Sequence, residues 1–289
     1  MSQNVNGLRT SAAVLVALVA FAANSVLCRV ALGDSAIDAA SFSTIRLASG
    51  AGMLWLTSAA LTGTAPDKQY GDWTSASLLF LYAVPFSFAY VSLSAGTGAL
   101  VLFGSVQAAM ILIALLSGEG PRPSEWLGLF AAVLGLVYLM LPGLSAPPPV
   151  GSALMAVAGI SWGLYSLRGR RSVDPLRTTT GNFVRALPFA AALSLITWRG
   201  TSISPKGMLL ALLSGTLTSG GGYVVWYQAL RGLTATRAAI VQLAVPVLAA
   251  IGGVVFLSET ITSRLLVSTI MILGGVGLAI VSRQRKHVL

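Results

Sequence analysis

The sequence predicts an all-α integral membrane protein, with ten transmembrane helices forming two inverted five-helix repeats around a central cavity. The composition is 55% hydrophobic and only 9% charged, against about a quarter charged in a soluble domain. Ten apolar runs are each close to the length that crosses a hydrocarbon core, about 20 residues. A stretch of the first half also aligns without gaps on one in the second half. A bilayer solvates apolar surface that no single soluble core could hide, provided the backbone closes its hydrogen bonds within helices or a barrel. The long unbroken runs select helices.

The expected spans are residues 11–32, 39–61, 75–94, 97–118, 125–143, 150–168, 179–198, 206–230, 234–257 and 263–282. The first follows Arg9 as a signal peptide would, but it is long enough to cross and nine more spans follow, so it reads as a retained helix. The formal charge of +10 is dispersed between spans and forms no basic domain, which argues against a nucleic-acid partner. With the amino terminus inside, twelve basic residues fall on the cytoplasmic side and four outside, which places both termini in the cytoplasm. Cytoplasmic in this scheme are Arg9, Lys68, Arg122, Arg168, Arg170, Arg171, Arg177, Arg231, Arg237, Arg283, Arg285 and Lys286; Arg29, Arg199, Lys206 and Arg264 are outside. The expected location is a bacterial inner membrane. The one cysteine, Cys28, lies in an apolar stretch and reads as a buried small residue.

The repeat is carried by Ala99 to Glu119, which aligns on Ala239 to Glu259 with a constant offset of 140 that also pairs Gly135 with Gly275. Arg46 in the second span matches Arg185 in the seventh, and Arg29 matches Arg168. The halves are therefore 1–146 and 147–289, parted at Pro147, Pro148 and Pro149. Five spans is an odd number, so the second copy enters the membrane from the other side, the arrangement that gives alternating access its two related conformations.

Polar and aromatic side chains inside a bundle are the default functional candidates. Tyr82, Phe86 and Tyr90 recur every four residues and form one helical stripe. Tyr223, Trp226 and Tyr227 share a face in the eighth span and correspond to that stripe across the repeat. Two readings stand for these rings, a cavity wall or an interfacial belt; Tyr90 and Tyr227, nearer helix ends, suit the belt better. Trp162, with Tyr165 behind it, sits in mid-span and suits a cavity. Gln107 and Gln242 carry amides fitted to an ammonium and a carboxylate, or to a neighbouring helix, and Asn24 has the same two readings. Gly104 with Ser105, and Gly220 to Gly222, read as close packing or a hinge. Arg46 and Arg185 are the costliest residues in a bilayer; both lie about two turns inside a helix end, so snorkelling in a structural or gating role is the expectation, with a substrate carboxylate as the alternative.

The chain resembles the drug/metabolite transporter superfamily, in its ten-helix bacterial branch with two EamA-type repeats. The resemblance covers nearly the whole chain and rests on SerTrpGly at Ser161 to Gly163, the two span arginines, GlyThrGlyAlaLeu at Gly96 to Leu100, and ValProValLeu at Val245 to Leu248 leading to LeuSerGlu at Glu259. Within the superfamily it resembles aromatic amino-acid exporters of the YddG type. The first half departs from the pattern, with Ala23 where the second has Trp162 and Val106 where it has Pro246. The resemblance implies a cavity lined by spans one, three, four, six, eight and nine.

The expected function is export of small metabolites, foremost amino acids including aromatic ones. Drugs or other metabolites are the competing cargo, and a channel is the competing class. No histidine or cysteine pair exists to build an enzyme's nucleophile and base, so no catalytic residue, metal or cofactor is expected. The expected partners are a small-molecule substrate and the lipid bilayer, and nothing in the sequence requires more than a monomer. No carboxylate lies deep in a span, so exchange or facilitated diffusion is expected in place of a proton relay.

Overall fold

Apolar segments separated by proline and capping residues fold as helices in a computed structural model of the chain, which describes residues 2–62, 70–116, 123–141, 146–169, 172–230 and 241–284. The main helices among the described residues are α1 (Ser2–Gly33), α2 (Ala39–Thr62), α3 (Trp73–Tyr90), α4 (Ala95–Leu116), α5 (Pro123–Met140), α6 (Pro149–Gly169), α7 (Pro175–Thr197), α8 (Pro205–Leu230), α9 (Ala244–Leu257) and α10 (Ser263–Gln284). Among the described residues there is no strand, only a single antiparallel bridge between Ile37 and Ile203. By length and composition α8 and the segments Thr10–Gly33 and Pro149–Gly169 are each able to cross a membrane, and shorter apolar stretches lie in α4, α5, α9 and α10. Glu119, Lys68, Arg122, Arg170, Arg171, Arg231, Arg237, Arg285, Lys286 and His287 lie outside the described residues.

Helix starts follow local chemistry. Asp72 accepts from the Ser75 amide, Asp174 from Arg177 and Ser204 from Gly207, each satisfying an orphan donor of the first turn. Pro175 and Pro205 occupy the first helical position, where no amide hydrogen is needed. Pro246 cannot donate to the carbonyl of Gln242, and a turn at Leu243 parts the helical residues 241–242 from α9. At its other end α9 closes on Ser258, which is left-handed at φ 53°, and the Glu259 amide returns to the Gly253 carbonyl at 3.1 Å.

In the packing α2 meets α7, α4 meets α9 and α5 meets α10, while α6 meets α3 and α4, and α1 meets α8 and α9. Large apolar side chains such as Leu15, Phe130, Val255, Phe256 and Ile270 remain exposed on the outside, as a lipid-facing surface requires. Trp73, Trp126 and Trp198 are exposed at or near helix ends.

Candidate functional site

The aromatic stripes of α3 and α8 converge on Trp162 of α6. Trp162 stands 4.9 Å from Tyr82 and 4.8 Å from Tyr223 between ring centroids, so one indole lies against both stripes. Phe21 of α1 completes the cluster edge-on, at 5.9 Å from Trp162 and 5.7 Å from Trp226. Phe86 continues from Tyr82 at 5.4 Å to Tyr90 at 4.8 Å, and Tyr165 extends the other side at 5.8 Å from Trp162. All of these rings are buried. The interfacial-belt expectation is thus corrected for Tyr90 and Tyr227, which both pack inside the bundle.

Between Phe21, Asn24, Tyr82, Phe86, Trp162 and Tyr223 the remaining space is about 10 Å³, room for a single water molecule. The chamber is therefore occluded, and any solute larger than water enters only if the rings part. Of the expected polar residues, Asn24 reaches it, its Oδ1 accepting from Ser214 at 2.7 Å and from Thr218 at 3.0 Å. Gln107 and Gln242 are buried but do not line this space.

Ser214 and Thr218 belong to a π-helical stretch, Ser214–Gly221, inside α8. Serine, threonine and glycine are weak helix formers, and the widened turn swings three hydroxyls toward α1 and α2. Sequence reasoning noticed the glycines of this stretch and missed the hydroxyls; the run SerGlyThrLeuThrSerGlyGlyGly in an otherwise apolar span was the available signal. Phe21 was also missed, because one phenylalanine in an apolar helix carries no signal.

Arg46 departs most from expectation. Its side chain is 1% exposed and points into the bundle, which corrects the snorkelling reading. Nε donates to Ser219 at 2.9 Å, and Nη2 donates to the Tyr82 hydroxyl at 3.0 Å and the Tyr223 hydroxyl at 3.5 Å. The guanidinium also lies over the Tyr82 and Phe86 rings at 5.2 and 5.0 Å. A buried cation–π contact offsets about 2 kcal/mol of an insertion cost of about 3 kcal/mol or more. Arg185, its partner in the repeat, instead donates to the backbone carbonyls of Tyr70 and Gly181 and staples the α2–α3 connection to α7, a structural role.

Ion pairs lie at both ends of α3. At its carboxyl end Arg29 donates to the Tyr90 and Val91 carbonyls and pairs with Glu259 at 3.4 Å, while Glu259 accepts from the Ala95 amide that opens α4. This pair floors a recess of about 440 Å³ bounded by Ser94, Thr97, Pro148 and Thr262. At the amino end Arg168 donates to Asp72 at 3.0 Å and to Ser75. Arg29 and Arg168, matched in sequence, thus clamp opposite ends of one helix.

Burial alone would raise the Asp72 pKa, but hydrogen bonds from Ser75 and the Arg168 charge outweigh it and hold the carboxyl below its ordinary 3.8. A depressed folded value means that its stabilisation is complete above the ordinary value and is lost only as pH falls through the lower one. Asp72→Asn is accordingly expected to lower the unfolding temperature slightly at neutral pH, with the difference from the parent vanishing in strong acid. Thermal unfolding in detergent across the acid range checks this, and a gap that widens on acidification contradicts it.

Residues 149–281 match the model of the EamA-like transporter family. The chain is 50% identical over 275 residues to an uncharacterized protein of Pseudomonas aeruginosa, covering 95% of this chain and 96% of that one. It is 30% identical over 190 residues to the threonine/homoserine exporter RhtA of Salmonella typhimurium and of Escherichia coli, covering 62% of this chain and 61% of theirs. A protein of solved crystal structure shares the fold with a TM-score of 0.65 at 19% identity, over 93% of this chain and 99% of that one.

Proposed function

Because the chain belongs to the EamA-like transporter family of drug/metabolite transporters, we propose that it exports amino acids, aromatic ones included, by alternating access through the chamber around Trp162. The observation that supports this reading best is the occluded, ring-walled chamber where stripes from both halves meet. A carrier's solute site lies at the seam of its repeats, near mid-membrane. Trp162, Tyr82, Phe86, Tyr223 and Asn24 are the proposed contacts, with Tyr90, Tyr165, Trp226 and Tyr227 supporting the walls. Gln107 on α4 and Gln242, just before α9, stand outside the chamber and are not among its proposed contacts. Residues 1–146 and 147–289 act as the two rocking halves. The protein lies in the bacterial inner membrane with both termini cytoplasmic, which puts the Arg29–Glu259 recess on the outside.

RhtA is named for threonine and homoserine, two small zwitterions. Rings on several sides with one amide suit such solutes and larger aromatic ones alike. The deciding experiment is counterflow of labelled phenylalanine and threonine into proteoliposomes of purified protein. Saturable exchange supports the carrier, and linear flux that ignores internal substrate sinks it.

The two ion pairs are proposed to latch the mouths in turn. Glu259→Gln keeps an acceptor for Ala95 but removes the charge facing Arg29. An exposed ion pair contributes up to about 1 kcal/mol, so the recess is expected to open about two- to fivefold more often. The natural Cys28 is buried, so Ser94→Cys provides a clean reporter. Its reaction rate with a membrane-impermeant thiol reagent should rise by that factor, and an unchanged rate removes the latch.

A further inference from the structure

We infer that Arg46 is the carboxylate anchor of the transported solute, which makes the substrate class small molecules bearing a carboxylate. This rests on the exporter reading above and adds the group that is recognised.

An arginine this deeply buried needs an anion or a set of acceptors that stands in for one. Among the described residues the acceptors of its guanidinium are three neutral hydroxyls, those of Ser219, Tyr82 and Tyr223. Its Nη1 is buried and has no hydrogen-bond partner among the described residues. None of the acidic residues falls within a described helix beyond the first turn, so among the described residues no carboxylate sits at the depth of Arg46. Burying an unpaired charge is unfavourable, and proteins ordinarily neutralise or pair it. Arginine cannot shed its proton to escape. A counter-ion that arrives with each transport cycle removes the difficulty.

The geometry gives that anion a route. Tyr82 and Tyr223, whose hydroxyls cover Nη2, are also the two rings that close the chamber against Trp162. A solute that parts these rings simultaneously uncovers Nη2 beside the open Nη1. Together these form the planar two-donor fork that matches a carboxylate. Ser219, held on Nε by the π-helical stretch of α8, fixes the guanidinium plane. Lysine would supply charge without the fork, so Arg46→Lys should recover only part of the function.

The test is counterflow of labelled phenylalanine in proteoliposomes, with phenylalanine, phenylalanine amide and phenethylamine as competitors. In the parent protein the amide and the amine are expected to compete at least tenfold more weakly than the amino acid. Arg46→Gln should raise the KM for phenylalanine at least tenfold and abolish that discrimination, and Arg46→Lys should fall between. Equal competition by the amine in the parent protein overturns the assignment whether or not any Arg46 variant folds, and leaves the exporter reading intact. A folded Arg46→Gln protein with unchanged KM and unchanged discrimination overturns it as well. Complete absence of amino-acid counterflow in the parent sinks the exporter reading, and the anchor falls with it.

Discussion

Trp162→Ala is expected to reduce phenylalanine counterflow at least tenfold, while Trp162→Phe retains most of it. Trp162 touches Phe21, Tyr82, Tyr165 and Tyr223 and is the ring through which the two aromatic stripes meet. Truncation leaves a void where an indole filled the chamber. In a packed core such a change costs about 3 to 5 kcal/mol. Lost transport therefore has to be separated from lost folding. Phenylalanine at this position preserves an aromatic face toward Tyr82 and Tyr223 and gives up only part of the volume. Rates normalised to protein that elutes as a single species in detergent make the comparison. A folded Trp162→Ala protein that exchanges every tested amino acid at the parental rate would remove Trp162 from the substrate path.

Gly159→Val is expected to abolish transport by preventing correct assembly. At Gly159 the backbone of α6 approaches α4 so closely that a Cβ would strike the carbonyl of Leu102 and lie 2.7 Å from the Ser105 Cβ. Both obstacles belong to α4, whose Leu102 and Phe103 line the chamber. In a membrane, small residues at such crossings are what let helices pack, since lipid is as apolar as their side chains. Overfilling a close contact costs about 1 to 3 kcal/mol, and here the displaced element is a chamber wall. Gly52→Val on α2 is the control, because a Cβ there meets nothing within 4 Å. The two variants should differ sharply in folded yield and unfolding temperature. Parental yield and transport for Gly159→Val would mean that the α4–α6 contact tolerates separation.

Much of the scaffold was legible in the chain. Run length alone located the helices, while the caps Asp72, Asp174 and Ser204, two of them followed by proline, set three of the starts a few residues earlier than expected. The four-residue spacing of Tyr82, Phe86 and Tyr90 announced a stripe, and mid-span Trp162 announced an interior ring. The ninth expected span, 234–257, is described only from residue 241, where a turn at Leu243 precedes Pro246 and α9; residues 234–240 lie outside the described ones.

What the sequence determined by itself was the set of elements and their order, because a bilayer demands helices of a given length with their hydrogen bonds closed internally. Which face of each helix looks inward was decided only by the tertiary structure. In a soluble protein polarity marks the outer face, but a lipid-facing surface and a bundle interior are both apolar, so periodicity is nearly silent. Arg46 and Arg185 make the point: they are matched in sequence, yet one guanidinium meets the Tyr82 hydroxyl inside the bundle and the other ties down the Tyr70 carbonyl. The hydroxyls of Ser214, Thr218 and Ser219 reach their partners only through the π-helical turn of α8, which exists where α8 packs on α1 and α2.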